Sequence, residues 1–398
     1  MWSRTRLDIG WADIAFGVRK CLLPPDRQNV EREIERYWSP EGDAIVCFSV
    51  RSGFDLVLQA LDLPQGSEIL FSALNVKGMI KIARRRGLLP VPVDLDVDTM
   101  LPDLDSLERA ITPESRAIVV APLFGTRGDL GPLIEVAKKF NLLVIEDCAQ
   151  AFAGREFTGS ADAAVSMFSF GPLKYATALG GAVLRVRDPA LLERMRDIQT
   201  SYPVQNARPY LTRLLKFAGL KILASRVVLG AVTRFFQIRG VDYEDSVSDA
   251  VRNVAPLGSS KRIQNRCSAP MLAVLQRRLT RFSPRDFAGR IEAGRFLLEE
   301  LDGVVVCPGT RNPIHNFWVF PILVDDPQTV MAGLRRQGFD GAILNRSATV
   351  APPEDRPKLA PVNARDALSK LVILPCYGGI PESELRRQAN VVRSLVGA

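Results

Sequence analysis

Histidine is almost missing from this chain of 398 residues, which has a single one, His315. That scarcity argues against a Ser-His-Asp triad and against a His-rich zinc site, and no metal centre is expected. The six cysteines (Cys21, Cys47, Cys148, Cys267, Cys307 and Cys376) form no CxxC pair. They lie mostly in apolar runs, the setting of buried free thiols in a reducing cytosol rather than of disulfides. The opening stretch "MWSRTRLDIGWADIAFG" lacks the continuous apolar core of a signal peptide. Low-complexity tracts are absent, and 47% of the residues are hydrophobic, so a packed globular chain is expected rather than a disordered one. At this length one large or two medium domains are expected.

Acidic residues are missing from one long stretch. None occurs between Asp197 and Asp242, whereas Arg208, Arg213, Lys216, Lys221, Arg226, Arg234 and Arg239 all fall inside it. Those seven charges account for nearly all of the net charge of +8, so the excess is local and does not describe a basic domain. Low aromatic content and the lack of a recognisable binding fold argue against a nucleic-acid partner. The segment "RPYLTRLLKFAGLKILASRVVLGAVTRFFQIRG" is apolar around most of a helical circumference, interrupted by Gly219 and Gly230. It carries too many Lys and Arg residues for a membrane span. Two readings stay open: helices packed on the body of the protein, or interfacial helices on an anionic membrane over residues 208–239. The corresponding location is cytoplasmic, with peripheral attachment to the inner face of the membrane under the second reading.

From about residue 45 to 185, short apolar runs alternate with helical patterns. "AIVCFSV", "SEILFSA", "LLPVPVDLD", "SRAIVVAPLFG" and "LLVIEDCA" read as strands. "RSGFDLVLQALDL", "VKGMIKIARRRG", "DLDSLERAI" and "LGPLIEVAKKFN" read as helices between them. This alternation predicts an α/β fold with a mostly parallel central sheet covered on both faces. Residues 268–303 read as long helix with a break near Ser283-Pro284, and the tail alternates strand and helix as a small α+β domain. The expected division is a large domain over 1–265, with the apolar basic insertion at about 203–255, and a connecting helix plus small domain over 266–398.

In such sheets ligands collect at the carboxyl ends of strands. Three features stand there. "SMFSFGPLKYATALGGAVL" places one lysine, Lys174, between an aromatic-rich strand and a Gly-Gly pair. "VIEDCAQAF" ends a strand on Asp147, a carboxylate suited to an N-cap, a metal ligand or the partner of a protonated pyridine nitrogen. "SVRSGFDLVLQAL" puts Ser52-Gly53 where strand turns into helix, a place for phosphate on free amides, and Ser169 could add a hydroxyl. Lysine, carboxylate and phosphate cup are together the three handles that pyridoxal phosphate requires, the lysine being activated by desolvation or nearby positive charge.

The ordered set SG, VDLD, "APLFG…GDL", VIEDCAQ, SFGPLK and GG resembles the DegT/DnrJ/EryC1/StrS family of sugar aminotransferases, enzymes of the fold-type-I pyridoxal-phosphate class. "DRQNVEREIERYW" before the first strand is similar too, as are "HNFWVFPI", "RRQGFDGAI" and "LVILPCYGGIPESELRRQANVV" in the tail. The resemblance spans nearly the whole chain except about residues 203–255. It implies that Lys174 is the Schiff-base lysine and Asp147 the partner of the pyridine nitrogen. Gln150 then lies beside the cofactor ring and its phenolic oxygen. Ser169 with Ser52 and the amides of Gly53 and Phe54 forms the phosphate cup. Gln264, Asn265 and Arg266 of "RIQNRCSAP" match a motif that reaches in from a neighbouring subunit, which implies a homodimer with shared active sites. Three departures stand out. Where the family carries a ring over the cofactor, this chain has "SALNVKGM", leaving Val76 or Asn75 in that role. The usual Gly-Thr is Gly53-Phe54, and the family's substrate segment is replaced by "AILNRSATVAPPEDRP".

The function this implies is transfer of an amino group from an amino acid, expected to be glutamate, to a keto group of a nucleotide-linked sugar or of a membrane-linked or lipid-linked acceptor. A dehydratase or deoxygenase on the same scaffold is the alternative enzyme, although in such relatives the lysine is often histidine. A non-catalytic, membrane-associated relative is the alternative from another class.

Overall fold

Apolar runs too short for helices and buried on both sides have to pair as strands, and between residues 44 and 186 they do. The computed structural model describes residues 1–3, 7–223, 263–283, 285–344 and 347–397. The strands are β1 (Ala44–Cys47), β2 (Glu68–Ser72), β3 (Leu74–Val76), β4 (Leu89–Val93), β5 (Ser115–Val120), β6 (Thr126–Arg127), β7 (Leu143–Asp147), β8 (Val165–Ser169) and β9 (Ala182–Val186), followed by β10 (Ile314–His315), β11 (Phe320–Leu323), β12 (Ser347–Thr349) and β13 (Leu371–Leu374). Seven of them form one sheet in the order β1-β9-β8-β7-β5-β2-β4. The run from β8 to β4 is parallel, and β9 lies antiparallel between β8 and β1.

The helices up to residue 223 are α1 (Trp11–Leu22), α2 (Arg27–Trp38), α3 (Val50–Leu61), α4 (Lys77–Arg85), α5 (Leu104–Ala110), α6 (Gly131–Lys139), α7 (Pro189–Thr200) and α8 (Ala207–Leu223). Successive strand residues point to opposite faces. Ile145 and Val119 therefore share a core with Phe54 of α3 and Met79 of α4. Their neighbours Val144 and Ile118 join Leu107 of α5 and Leu133 of α6 on the other face. This is the expected α/β architecture with a sheet covered on both sides.

The first part of the basic insertion is α8, and it packs. Tyr210, Leu214 and Phe217 are buried in one cluster with Ile14 of α1 and Leu272. Tyr210 Oη donates to Ala178 O at 2.9 Å, and Arg213 donates to Leu179 O at 2.9 Å. For this stretch the packed reading describes the inner face, while Leu215 and Ile222 on the outer face are more than half exposed. Residues 224–262, which include the rest of the insertion, lie outside the described residues. Among the described residues no helix is long and apolar enough to cross a membrane.

The helical region after the insertion divides as its Ser-Pro break suggests, into Ala269–Thr280 and Arg285–Leu301. The first of these helices packs with α1, α2 and α8 in the core of the large unit. The second contributes Ala293, Leu297 and Leu301 to a separate core with β11, β13 and the helices Pro327–Arg336 and Glu382–Val396. The two helices on either side of the break thus lie in different cores. The N-terminus belongs to both units: Trp2 donates its amide to Gly338 O and its indole N–H to Glu384 of the small one, while Ile9 and Ile14 lie in the core of the large one.

Candidate active site

The site is built at the carboxyl end of the sheet. β7 ends on Asp147 and β8 on Ser169, and the loop that follows β8 carries Lys174 before the chain turns back into β9. That loop is tightly tied within itself. Lys174 N donates to Gly171 O at 3.0 Å, and Thr177 Oγ1 donates to Gly171 O at 2.6 Å. Ala176 and Leu179 hold left-handed backbone angles, with φ of 47° and 60°. Such angles in non-glycine residues persist only where the surroundings enforce them. The enforcement comes from three directions. Asp8 Oδ2 accepts from Ala176 N at 2.6 Å and from Arg278 at 2.9 Å. Tyr175 Oη donates to Asn316 O at 3.1 Å. Trp318 Nε1 donates to Leu173 O at 2.9 Å.

Asp147 and Lys174 act on each other electrostatically. Burial pushes the Asp147 carboxyl above the usual range, opposed by a hydrogen bond from Ala149 N (3.1 Å) and by the positive charge of Lys174. Burial lowers Lys174 to about 8, with Asp147 pulling the other way. An ammonium taken out of water gives up its proton more readily, so at neutral pH a minor but appreciable fraction of Lys174 is the free amine, far more than for a lysine in water. Its Nζ lies 3.8 Å from the centre of the Trp318 ring.

The remaining expected residues divide into those the fold brings to this place and those it employs otherwise. Gln150 follows β7, and its Oε1 accepts from Phe124 N at 2.7 Å, leaving its NH₂ as a donor. Ser169 is half-buried at the end of β8 and accepts from Gly171 N at 3.4 Å. Gly53 and Phe54 do not offer free amides. Helix α3 starts at Val50, capped by Ser49, so Gly53 N already donates to Ser49 O at 2.9 Å and Phe54 lies deeper in the helix. Ser52 N is also engaged, by the Ser49 hydroxyl at 3.1 Å. Gly53 is also closely packed, since a Cβ there would meet Leu184 Cδ1 at 2.7 Å, and Phe54 is a fully buried core residue edge-on against Phe71.

Neither residue proposed in place of the missing ring supplies an aromatic face. Val76 is 38% exposed, and Asn75 is buried with its Nδ2 lacking any hydrogen-bond partner. The two departing segments meet, because β3 pairs antiparallel with β12 and Val76 stands opposite Ser347. Gln264 donates to Asp55 of α3 in the same chain at 3.1 Å, and Arg266 donates to Tyr202 O, just after α7, at 3.1 Å. Asn265 lies between them in an irregular segment. Sequence reasoning missed Trp318, Asp8 and Asn316. Trp318 does sit inside the quoted "HNFWVFPI", but nothing local marks it as a neighbour of Lys174.

Among the described residues no group of three or more His, Cys, Asp or Glu side chains could hold a metal ion. The donor set fits pyridoxal phosphate instead. A desolvated lysine, a buried carboxylate, a fixed carboxamide and a serine stand at adjacent strand ends, and the orphaned Asn75 Nδ2 is a buried donor awaiting an acceptor.

Comparison with known proteins agrees with this geometry. A curated relative from Streptomyces kanamyceticus, L-glutamine:2-deoxy-scyllo-inosose aminotransferase, is 33% identical over 178 residues, 43% of this chain. The match spans 42% of that relative, less than half its length. The solved structure of the aminotransferase TlmJ from Streptoalloteichus hindustanus superposes with a TM-score of 0.71 at 18% identity, covering 100% of this chain and 99% of its own. NtdA from Bacillus subtilis, solved with bound cofactor PMP, gives 0.67 at 18% identity, covering 96% and 82%. At such identities these two show the fold, that of the fold-type-I pyridoxal-phosphate enzymes. Residues 20–395 match the DegT/DnrJ/EryC1/StrS aminotransferase family, and the chain belongs to that family, whose cofactor is pyridoxal phosphate.

Proposed function

We propose that this protein moves an amino group from an amino acid to a keto carbon of a sugar or related polyhydroxylated ring, using pyridoxal phosphate. The observation that carries the reading is Lys174: an amine lowered to about 8 by burial, on a strained loop at a strand end, within the field of buried Asp147. Lys174 would attach the cofactor, Asp147 would keep its pyridine nitrogen protonated, Gln150 would donate to its phenolic oxygen, and Ser169 with the first turn of α3 would hold its phosphate. Bound there, the cofactor would accept the electron pair left when an amino acid loses its Cα proton. The work of this chain is to carry that proton. With a pKa near neutrality Lys174 Nζ can take a proton at one carbon and return it at another. Asp147, buried and negative, favours positive charge beside it and so opposes loss of the pyridine proton.

For the donor, glutamate is the expectation, and the Streptomyces kanamyceticus relative is named for L-glutamine, so both are to be offered. For the acceptor we favour a nucleotide-linked keto sugar, with a keto cyclitol and a lipid-linked ketone as the other candidates. A new amine on the acceptor, found by mass spectrometry with matching loss of amine from the donor, supports transamination. Loss of oxygen from the sugar without gain of nitrogen would favour the dehydratase or deoxygenase reading instead. The proposed assembly is a homodimer in which the Gln264–Arg266 segment approaches the partner's phosphate site. We also keep a cytoplasmic protein peripheral to an anionic membrane as part of the proposal. Its support is the acid-free run of basic residues and the exposed Leu215 and Ile222 beside Lys216 on α8. If a chain lacking residues 205–255 pelleted with anionic liposomes as well as the intact protein does, the membrane reading would fall.

A further inference from the structure

Lys174 and Trp318 are 144 positions apart in sequence, on different units of the protein, yet the ammonium nitrogen stands 3.8 Å from the centre of the indole ring. The ring does not arrive there loosely. Its Nε1 donates to Leu173 O, the carbonyl next to the lysine, at 2.9 Å. Its own backbone is fixed at both ends: Trp318 N donates to Asn316 Oδ1 at 3.0 Å, and Trp318 O accepts from Arg290 at 2.9 Å. Asn316 is itself held by Phe152 O at 3.1 Å and receives Tyr175 Oη on its carbonyl. The approach of this segment depends on Gly125, where a Cβ would meet Asn316 Oδ1 at 1.9 Å and Trp318 N at 2.7 Å. Five hydrogen bonds and one close backbone approach thus aim one aromatic face at one amine.

We infer that Trp318 is a positioning residue for Lys174, holding its ammonium by a cation–π contact and so setting both where the amine points and the pH at which it becomes reactive. The chemistry is that of the indole quadrupole, whose negative face attracts a cation and ignores the neutral amine. The ring therefore favours the charged form, in the same direction as Asp147 and against burial. The other charges near this loop face elsewhere: Arg290 lies over the Tyr175 ring at 5.2 Å, and Asp8 is bound to Ala176 N and Arg278. Among the described residues, Asp147 is the titratable group whose charge acts on the lysine. The inference rests on the proposed function only for its purpose, since it concerns how readily the amine captures a carbonyl.

The test needs no cofactor. Purified protein is treated with formaldehyde and cyanoborohydride across pH 6 to 10, and the extent of reductive methylation at Lys174 is read by mass spectrometry of its peptide. In Trp318→Leu the midpoint of the pH profile should fall by roughly half to one unit, the size of a partly desolvated cation–π contact. In Trp318→Phe, which keeps a ring but loses the bond to Leu173 O, it should stay near that of the parent. An unchanged midpoint in Trp318→Leu would overturn the inference, and so would an equal fall in both variants, which would assign the effect to the lost hydrogen bond. If Trp318→Leu does not fold, Trp318→Tyr and Trp318→Phe decide alone: both must keep the parental midpoint, and a fall in both overturns the ring's role. Titration with pyridoxal phosphate is read separately. No visible band in the parent protein would count against the proposed function while leaving the methylation profile a valid measure of Trp318.

Discussion

At the scale of single residues, the account turns on a cation placed where water is scarce. The ammonium of Lys174 binds its proton less tightly in the folded protein, at about 8, than in the unfolded chain, where lysine has its ordinary value near 10.4. Between those values the unfolded state holds more protons, so stability rises with pH through that window, and below it the buried charge costs on the order of 3 kcal/mol. Lys174→Met, which keeps the bulk and removes the charge, should therefore be the more stable protein at pH 7, with the difference closing toward pH 10. Urea unfolding of both proteins at the two pH values measures this, and a constant difference would contradict it. Lys174 and Asp147 were legible in the sequence because each follows an apolar run that can only be a buried strand, and ligands gather where such strands end. Trp318 and Asp8 were not, because the contacts that define them reach across 145 and 168 positions and leave no local pattern.

At the scale of elements, the strands and helices between residues 44 and 186 follow from apolar periodicity, and the phosphate cup shows where that reading stops. A run such as "SVRSGFDL" reveals that a helix begins but not at which residue. The cap at Ser49 decides it, and consumes amides that a reading of the letters assigns to a ligand. Gly125 is a second case in which close approach matters more than motif. It holds φ of 96°, and any side chain there would collide with Asn316 and Trp318. Gly125→Ala should lose about 1–3 kcal/mol of stability through backbone strain alone. It should also separate Trp318 from the lysine loop, so that its Lys174 methylation profile approaches that of Trp318→Leu. Thermal unfolding together with the methylation profile checks both consequences, and an Ala variant with parental stability would show that the loop yields more easily than its contacts suggest. The Asp8 clamp acts on the same loop. Asp8→Ala removes the acceptor of the Ala176 amide and one partner of Arg278, and should lower cofactor affinity measured by fluorescence titration, whereas an unchanged affinity would release the N-terminal segment from that role.

At the scale of the whole molecule, two units meet over the carboxyl end of one sheet, and some of the residues that join them also fix the lysine loop. Tyr175 with Asn316, and Trp318 with Leu173, make the small unit part of the site rather than a cover laid over it. The segments that depart from the family pattern also face each other across this junction, as β3 paired with β12. Substrate choice is therefore expected to reside there, while the chemistry stays with the sheet. The measurement that tests the central claim most directly is the visible spectrum of the purified protein with pyridoxal phosphate, beside Lys174→Ala. The account predicts a near-ultraviolet to blue band that bleaches when glutamate or glutamine is added and is altered in the variant. Identical spectra for the two proteins, each indistinguishable from free cofactor, would contradict it.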